Sequence, residues 1–401
     1  MAARSAVPSL LATLIVLSAC TDHGPTSAPI TGSRSGLPFS EGLASPAWQT
    51  TAATRTVQAA FAPFTTSRAL SLLGVAQYLA VQRAEGADGG GGRNQLELDR
   101  GAVAGASAAV LTYLFPSQAQ EFEGLVAAQA TTGPGGLAAH PAFTRGEEIG
   151  RAVGAEIVMR ARGDGFNTPF TGTIPSGPGL WISNTANPAT IAGGQLPTSR
   201  PWFLTSADQF RPAPPPAFGS AAFLAALAEI RQMSNNRTAD QIGIAAYWAP
   251  KASAFWIQVG TDLINQHGLS EREATHLYAL LSATVYDAFI GCWDAKQTFW
   301  LLRPWQADPL ITTTAAVGKP NHPSYTSGHS CVSASSAAVL SEFFPEETAQ
   351  LNAKVTQAGL SRMYGGIHYR FDIDAGQALG RTVARFTIAA DASGNSVLTP
   401  R

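Results

Sequence analysis

The sequence predicts an all-α protein built as two helical bundles packed into one unit. Two observations carry that expectation. Apolar residues recur at helical spacing through long Ala-rich stretches, as in Leu70, Leu73, Ala76 and Leu79, and again in Val103, Ala106, Val110 and Leu114. No strand-like alternation persists anywhere, and no fixed-period repeat is visible.

The elements follow in order. The first 20 residues read as a targeting segment: Arg4 gives a positive start, Leu10 to Leu17 form a short apolar stretch, and Leu17-Ser18-Ala19-Cys20 closes it. That ending resembles the bacterial lipoprotein box, which implies lipidation of Cys20. An ordinary signal peptide with an incidental cysteine is the plainer alternative. The expected location is periplasmic or cell-surface, with outer-membrane anchoring implied by Thr21 after the cysteine and membrane contact through the lipid only. Residues 21–45, rich in Ser, Gly, Thr and Pro, read as a flexible tether. Residues 46–401 then form a single domain.

Within that domain, residues 46–162 read as several helices interrupted by the glycine run Gly89 to Gly92 and by Pro116, with Ser117 placed to cap the next helix. From 163 to 217 prolines at 169, 175, 178, 188, 197, 201, 212 and 214–216 exclude long helices. The same stretch carries Phe166, Phe170, Trp181, Trp202, Phe203 and Phe210, so an ordered, packed excursion is expected. The catalytic half, 218–401, resumes helical patterns at 218–233, 238–250, 253–267, 270–303 and 328–344, and a final helix follows Gly366.

Composition narrows the function classes. Net charge is −1, so no basic field suggests nucleic acid. The charged share, 13%, is about half the usual level. No apolar run of spanning length follows the N-terminus. Cys292 and Cys331 are the other two cysteines, and both a disulfide and two buried thiols are open to them.

Three short segments concentrate the chemistry. Lys296 and Arg303 are seven apart, so on one helix they share a face, which Pro304 would end. They sit among Trp293, Phe299, Trp300 and Trp305, an apolar setting in which a cation pair is costly unless an anion joins it. Next, His322-Pro-Ser-Tyr-Thr-Ser-Gly-His329 reads as a loop entering a helix. The Gly328 and His329 amides would form an anion-favouring helix N-terminus, where Ser327 caps the helix or bonds an oxyanion. Finally, Arg362 and His368 are six apart, and Gly365-Gly366 breaks the helix so that both converge. Asp372 lies one turn after His368, placed to orient its imidazole.

In this order the three segments resemble the signature of the superfamily that joins vanadium-dependent haloperoxidases to phosphatidic-acid-phosphatase-type acid phosphatases. One position departs: Thr326 stands where a proline usually precedes Ser-Gly-His. That change is expected to alter loop stiffness more than chemistry. The phrases at 237–241 and 204–212 also look like bacterial haloperoxidase-like members. The resemblance implies the vanadium haloperoxidase type of double bundle. Lys296, Arg303, Arg362, Ser327 and the Gly328 amide would bind the oxygens of vanadate or phosphate. His368 would be the vanadium ligand or the phosphate-accepting nucleophile, His329 the acid–base residue, and Asp372 the orienter of His368. One cationic cradle serves both reactions because pentacoordinate vanadate mimics a phosphoryl-transfer transition state.

Two chemistries therefore stand open. A haloperoxidase would use hydrogen peroxide, halide and an organic acceptor with vanadate as cofactor; an acid phosphatase would need no cofactor and take a phosphoester through a phosphohistidine. His322, seven before His329, implies bromide or iodide handling, and Trp293 matches an aromatic position lining the halide pocket. Against this, Tyr364 replaces the acid that fungal members carry two after the arginine. The long N-terminal half favours the haloperoxidase branch. A non-enzymatic anion-binding lipoprotein is the third reading, and it predicts loss of at least one motif residue. The halide, the organic substrate and the oligomeric state are not legible.

Overall fold

A computed structural model of the chain describes residues 42–88, 94–131, 141–187 and 189–399. The expected signal peptide, Cys20, nearly all of the tether and the Gly89–Gly92 loop lie outside the described residues. Thirteen α-helices are described: α1 Ser45–Gln58, α2 Pro63–Asp88, α3 Gln95–Leu114, α4 Ala119–Thr131, α5 Pro141–Arg162, α6 Ala221–Asn235, α7 Ala239–Trp248, α8 Ser253–His267, α9 Glu271–Phe299, α10 Pro304–Ala307, α11 Gly328–Phe343, α12 Thr348–Tyr364 and α13 Arg370–Ala392. Among the described residues the only β-type pairing is an isolated bridge between Leu180 and Leu301. The expected all-α class holds. No described helix is long and apolar enough to cross a membrane.

Local chemistry fixes several boundaries. Thr238 and Gln241 form a capping box at α7, as Ser270 and Glu273 do at α9, satisfying first-turn amides reciprocally. Gly268, at φ 65°, closes α8 in the left-handed conformation that glycine adopts without strain. Where the tether was expected to run on through residue 45, Ala44 and Ser45 are already buried, and their amides donate to Glu271 at 2.5 and 2.9 Å.

The helices group as expected. α2, α3 and α5 pack together in the N-terminal half; α11, α12 and α13 do so in the C-terminal half. α9 belongs to both, packing on α2 as well as on α11 and α13. Nearly its whole length is buried. A large apolar cluster runs from Trp48 through α9 to Val383 and Leu398, and a smaller one, including Phe223, Tyr325, Tyr369 and Ile373, lies in the C-terminal half.

Glycine sets two of the helix contacts. A Cβ on Gly101 or Gly105 of α3 would come within 2.2 Å of a carbonyl oxygen of α5, and one on Gly146 or Gly150 of α5 within 2.0 Å of α3. Likewise, a Cβ on Gly376 or Gly380 of α13 would lie 2.7 Å from the Ser327 carbonyl or 2.3 Å from that of Cys331. Backbones this close tolerate no side chain between them.

The 163–217 excursion is ordered and packed in its described residues, with Phe166, Trp181 and Trp202 buried. Asp287 of α9 pins it, accepting the amides of Trp202, Phe203 and Leu204 at 2.8, 2.7 and 3.0 Å. One expectation fails. Lys296 and Arg303 do not share a helix, because α9 ends at Phe299 and Trp300 caps it at φ 48°. The chain then runs extended to Arg303, which starts α10, since Pro304 disfavours helical geometry at the residue before it.

Candidate active site

His368 anchors the site. α12 stops at Tyr364, Gly366 turns the chain at φ 73°, and the Ile367 amide closes the turn on the Arg362 carbonyl at 3.1 Å. Arg362 and His368 are thereby brought off one helix axis, as the glycine pair predicted. His368 is buried, and its Nδ1 donates to Asp372 Oδ2 at 2.8 Å. That bond fixes the tautomer, leaving Nε2 as a lone pair that accepts from Arg303 Nη1 at 3.0 Å. Burial, then the charges of Arg303 and Lys296, holds the imidazole well below its ordinary range, so it is neutral.

Asp372 is itself buried, and burial lifts its carboxyl to about 6 against the opposing bond from Ser324. Its Oδ2 accepts three groups: His368 Nδ1, the Ser324 hydroxyl at 2.5 Å and the Tyr369 amide at 3.1 Å. Ser324 was not singled out in the sequence, although it lies inside the quoted His322–His329 loop.

Three cations surround this dyad, all buried. Arg303 donates from Nε to the His322 carbonyl at 3.0 Å and from Nη1 to that of Ile367 at 2.7 Å. Arg362 donates from Nη2 to the Ala245 carbonyl at 3.2 Å and from Nε to the Ser361 hydroxyl at 3.1 Å. Lys296 donates to the carbonyls of Pro323 and Ser324, both at 2.9 Å, and to that of Thr326. An ammonium has three N–H groups, so here Lys296 clamps the loop that carries Ser327 rather than pointing a donor outward. Burial brings these groups down to about 8 for Lys296, 10 for Arg303 and 9 for Arg362.

Asp372 is the carboxylate that stabilises the charged forms of Lys296 and Arg303, and among the described residues no acid does so for Arg362. Buried positive charge in such excess is costly until a multiply charged oxyanion joins it. Among the described residues no cluster of three or more His, Cys, Asp or Glu side chains could hold a metal ion. The donor set therefore fits phosphate or vanadate, held by cations and amides with one histidine, and not a bare metal cation.

The remaining predicted residues line the same place. Ser327 caps α11, accepting from the Ser330 amide at 3.4 Å and the Ser330 hydroxyl at 3.0 Å, while its own amide donates to the Asp372 carbonyl at 3.0 Å. Gly328 begins α11, where first-turn amides lack intrahelical partners, and a Cβ there would sit 3.4 Å from the Trp293 ring. His329 donates from Nε2 to the Trp248 carbonyl at 3.1 Å, and burial with the Arg362 charge brings it down to about 3. His322 packs at a tilt against Trp293, with centroids 4.9 Å apart and planes 42° from parallel, and its Nδ1 accepts from Arg303 Nη2 at 3.0 Å. Trp293 Nε1 is tied to the Ala192 carbonyl at 2.8 Å, which brings the excursion to the edge of the site. Cys292 and Cys331 are buried free thiols, so of the two readings left open the disulfide is not the one present.

Comparison with known proteins agrees with this picture. The PAP2 superfamily signature matches residues 273–393, the stretch that carries all three segments. A non-specific acid phosphatase from Providencia stuartii is 29% identical over 170 residues, spanning 40% of this chain and 66% of that protein. The fold resembles the crystal structure of a bacterial vanadium-dependent iodoperoxidase at TM-score 0.70 and 23% identity, covering 86% of this chain and 96% of that one. It also resembles an apo-type bacterial vanadium-dependent chloroperoxidase at TM-score 0.67 and 14% identity, covering 83% and 94%. The stretch that holds the site, residues 273–393, thus carries the PAP2 superfamily signature, and the all-α fold is that of the bacterial vanadium haloperoxidases.

Proposed function

We propose that the chain is a vanadium-dependent haloperoxidase-like enzyme, oxidising bromide or iodide with hydrogen peroxide. The observation that carries an oxyanion-dependent reaction is the gathering of three buried cations around a histidine whose unprotonated Nε2 accepts from one of them, Arg303. Support for the haloperoxidase branch comes from the long N-terminal half and from His322 against Trp293. Vanadate, when bound, would supply a Lewis-acidic centre that activates peroxide toward halide. His368 Nε2 would ligate it, and Arg303, Arg362, the Ser327 hydroxyl and the Gly328 amide would hold its oxygens. Lys296 supports them through the loop and adds its charge. Asp372 keeps the His368 proton on Nδ1. His329 carries the exchangeable proton: an oxyanion beside Arg362 offsets the positive field and lifts the imidazole toward working range.

A second reading is favoured by the acid phosphatase relative. There His368 Nε2 attacks phosphorus, the ester oxygen leaves with a proton from His329, and water then cleaves the N–P bond while His329 takes its proton. A paired assay on the purified protein separates the two. Added vanadate should activate peroxide-dependent bromination and inhibit phosphomonoester hydrolysis, so the sign of its effect identifies the chemistry. His368→Ala should abolish whichever activity is found; full activity in that variant would sink the site.

For location, the N-terminal segment supports an exported lipoprotein, outer-membrane anchored through Cys20. A Cys20→Ser chain that stays in the membrane fraction would refute the anchor.

A further inference from the structure

Beneath the Ser327–Gly328 turn sit two thiols that neither reaction uses. Cys292 lies on α9, four residues before Lys296, and Cys331 on α11, two after His329; both are wholly buried. Each bears on the ionisation of the other. They also share one hydroxyl: Thr326 Oγ1 lies 3.2 Å from Cys292 Sγ and 3.4 Å from Cys331 Sγ. The carbonyl of the same Thr326 holds the Lys296 ammonium, and the next residue is Ser327. This is the position where the chain departs from the expected proline, and the departure supplies the hydroxyl that joins the thiols to the loop.

The two sulphurs differ in setting. Burial disfavours the thiolate at both. At Cys292 the hydrogen bond from Cys331 and the charges of Lys296 and Arg303 outweigh burial and bring the thiol down, whereas at Cys331 burial and the neighbouring Cys292 push it up. Attacking and resolving thiols differ in this way, one beside cations and the other held protonated; because both are wholly buried here, a peroxide reaches them only when the covering loop opens.

We propose that Cys292 and Cys331 form an oxidative modification site, which a hydroperoxide converts to a disulfide that displaces Thr326 and weakens oxyanion binding. Cys292 thiolate attacks the peroxide, the O–O bond breaks, and a sulfenic acid forms with release of hydroxide. Cys331 sulphur then attacks the sulfenic sulphur, its proton leaving with the departing hydroxide as water. Overall two thiols and one hydrogen peroxide give one disulfide and two waters. The bond joins α9 to α11 and removes the thiol partners of Thr326, so the carbonyl that clamps Lys296 must shift with the loop. The effect on anion binding rests on the oxyanion reading of the site; the cross-link does not.

The test uses the full chain treated with excess hydrogen peroxide, freed of peroxide, denatured with an alkylating reagent, and peptide-mapped by mass spectrometry. Expected is a single cross-linked species joining the Cys292 and Cys331 peptides, reversed by dithiothreitol. Orthovanadate affinity, read from tryptophan fluorescence after peroxide removal, should fall about tenfold on oxidation, as for loss of one charge-assisted contact, and recover on reduction. A Cys292→Ser/Cys331→Ser chain should bind vanadate with an affinity that peroxide leaves unchanged. Two alkylated thiols after peroxide would overturn the site. A cross-link that leaves vanadate affinity unchanged would overturn its consequence. A chain that cross-links but never binds vanadate sinks the oxyanion reading and that consequence together, leaving the modification site standing.

Discussion

Glycine brings helices to backbone contact at several places in this molecule, and two of the pairs serve different ends. Between α3 and α5 the close approach joins helices that carry none of the candidate site residues, and its product is packing. Between α11 and α13 it seats Gly376 against the Ser327 carbonyl and Gly380 against that of Cys331. The second contact holds the first turn of α11, with Ser327 and Gly328, against the first turn of α13, with Asp372. The same device packs one half and positions the candidate site in the other.

Adding a methyl group to each pair is the sharpest way to break the comparison. Gly150→Ala and Gly380→Ala should both lower stability by about 1–3 kcal/mol in chemical denaturation, since each forces a backbone apart. Only Gly380→Ala should also lower activity per folded molecule, by about 10- to 100-fold, because misplacement at a reacting centre is costly in rate. Equal activity losses in the two variants would show that the halves are not separable in this way. Ser324→Ala should have a smaller effect, a loss of about tenfold in kcat with KM little changed, as expected when the partner orienting a histidine's carboxylate is removed. Recovery of activity in Ser324→Thr would support positioning through the hydroxyl.

The smallest expected effect concerns pH and the excursion. Burial lifts Asp287 to about 6, against the three amides that favour its ionised form. A folded pKa above the unfolded one means that the native state retains a proton that the unfolded state releases. Its contribution to stability is therefore full below about pH 4 and is lost as pH rises through about 6, by at most about 1–3 kcal/mol. Thermal unfolding of the parent from pH 4 to 7 should show that decline, and Asp287→Asn, which keeps the buried Asp372, should decline less steeply. Parallel profiles in the two proteins would refute the assignment.

Much of the site is legible in the sequence because its determinants are local. Gly365-Gly366 announces the turn between Arg362 and His368, Asp372 follows His368 by one turn, and Ser327 precedes a helix. What escapes is set by distant partners. Asp287 reads as an ordinary helix acid until Trp202, Phe203 and Leu204 fold onto it. Lys296 reads as an anion ligand until three carbonyls of the 323–326 loop close on its ammonium. The early end of α9 is hidden because Trp300, a non-glycine residue, takes the left-handed conformation there. The glycine stripes were present at four-residue spacing in α3, α5 and α13, yet spacing alone does not say which helix approaches.

The double allegiance of α9 limits how this chain can be divided. A fragment cut at the excursion, 218–401, would keep all three signature segments and still leave the α2-facing side of its longest helix bare to water. The N-terminal fragment would in turn lack the wall on which α2 rests. Each piece would therefore present a large apolar patch and is expected to aggregate or to seek the other. Complementation between the two separately produced pieces, more than activity in either, is what this architecture allows.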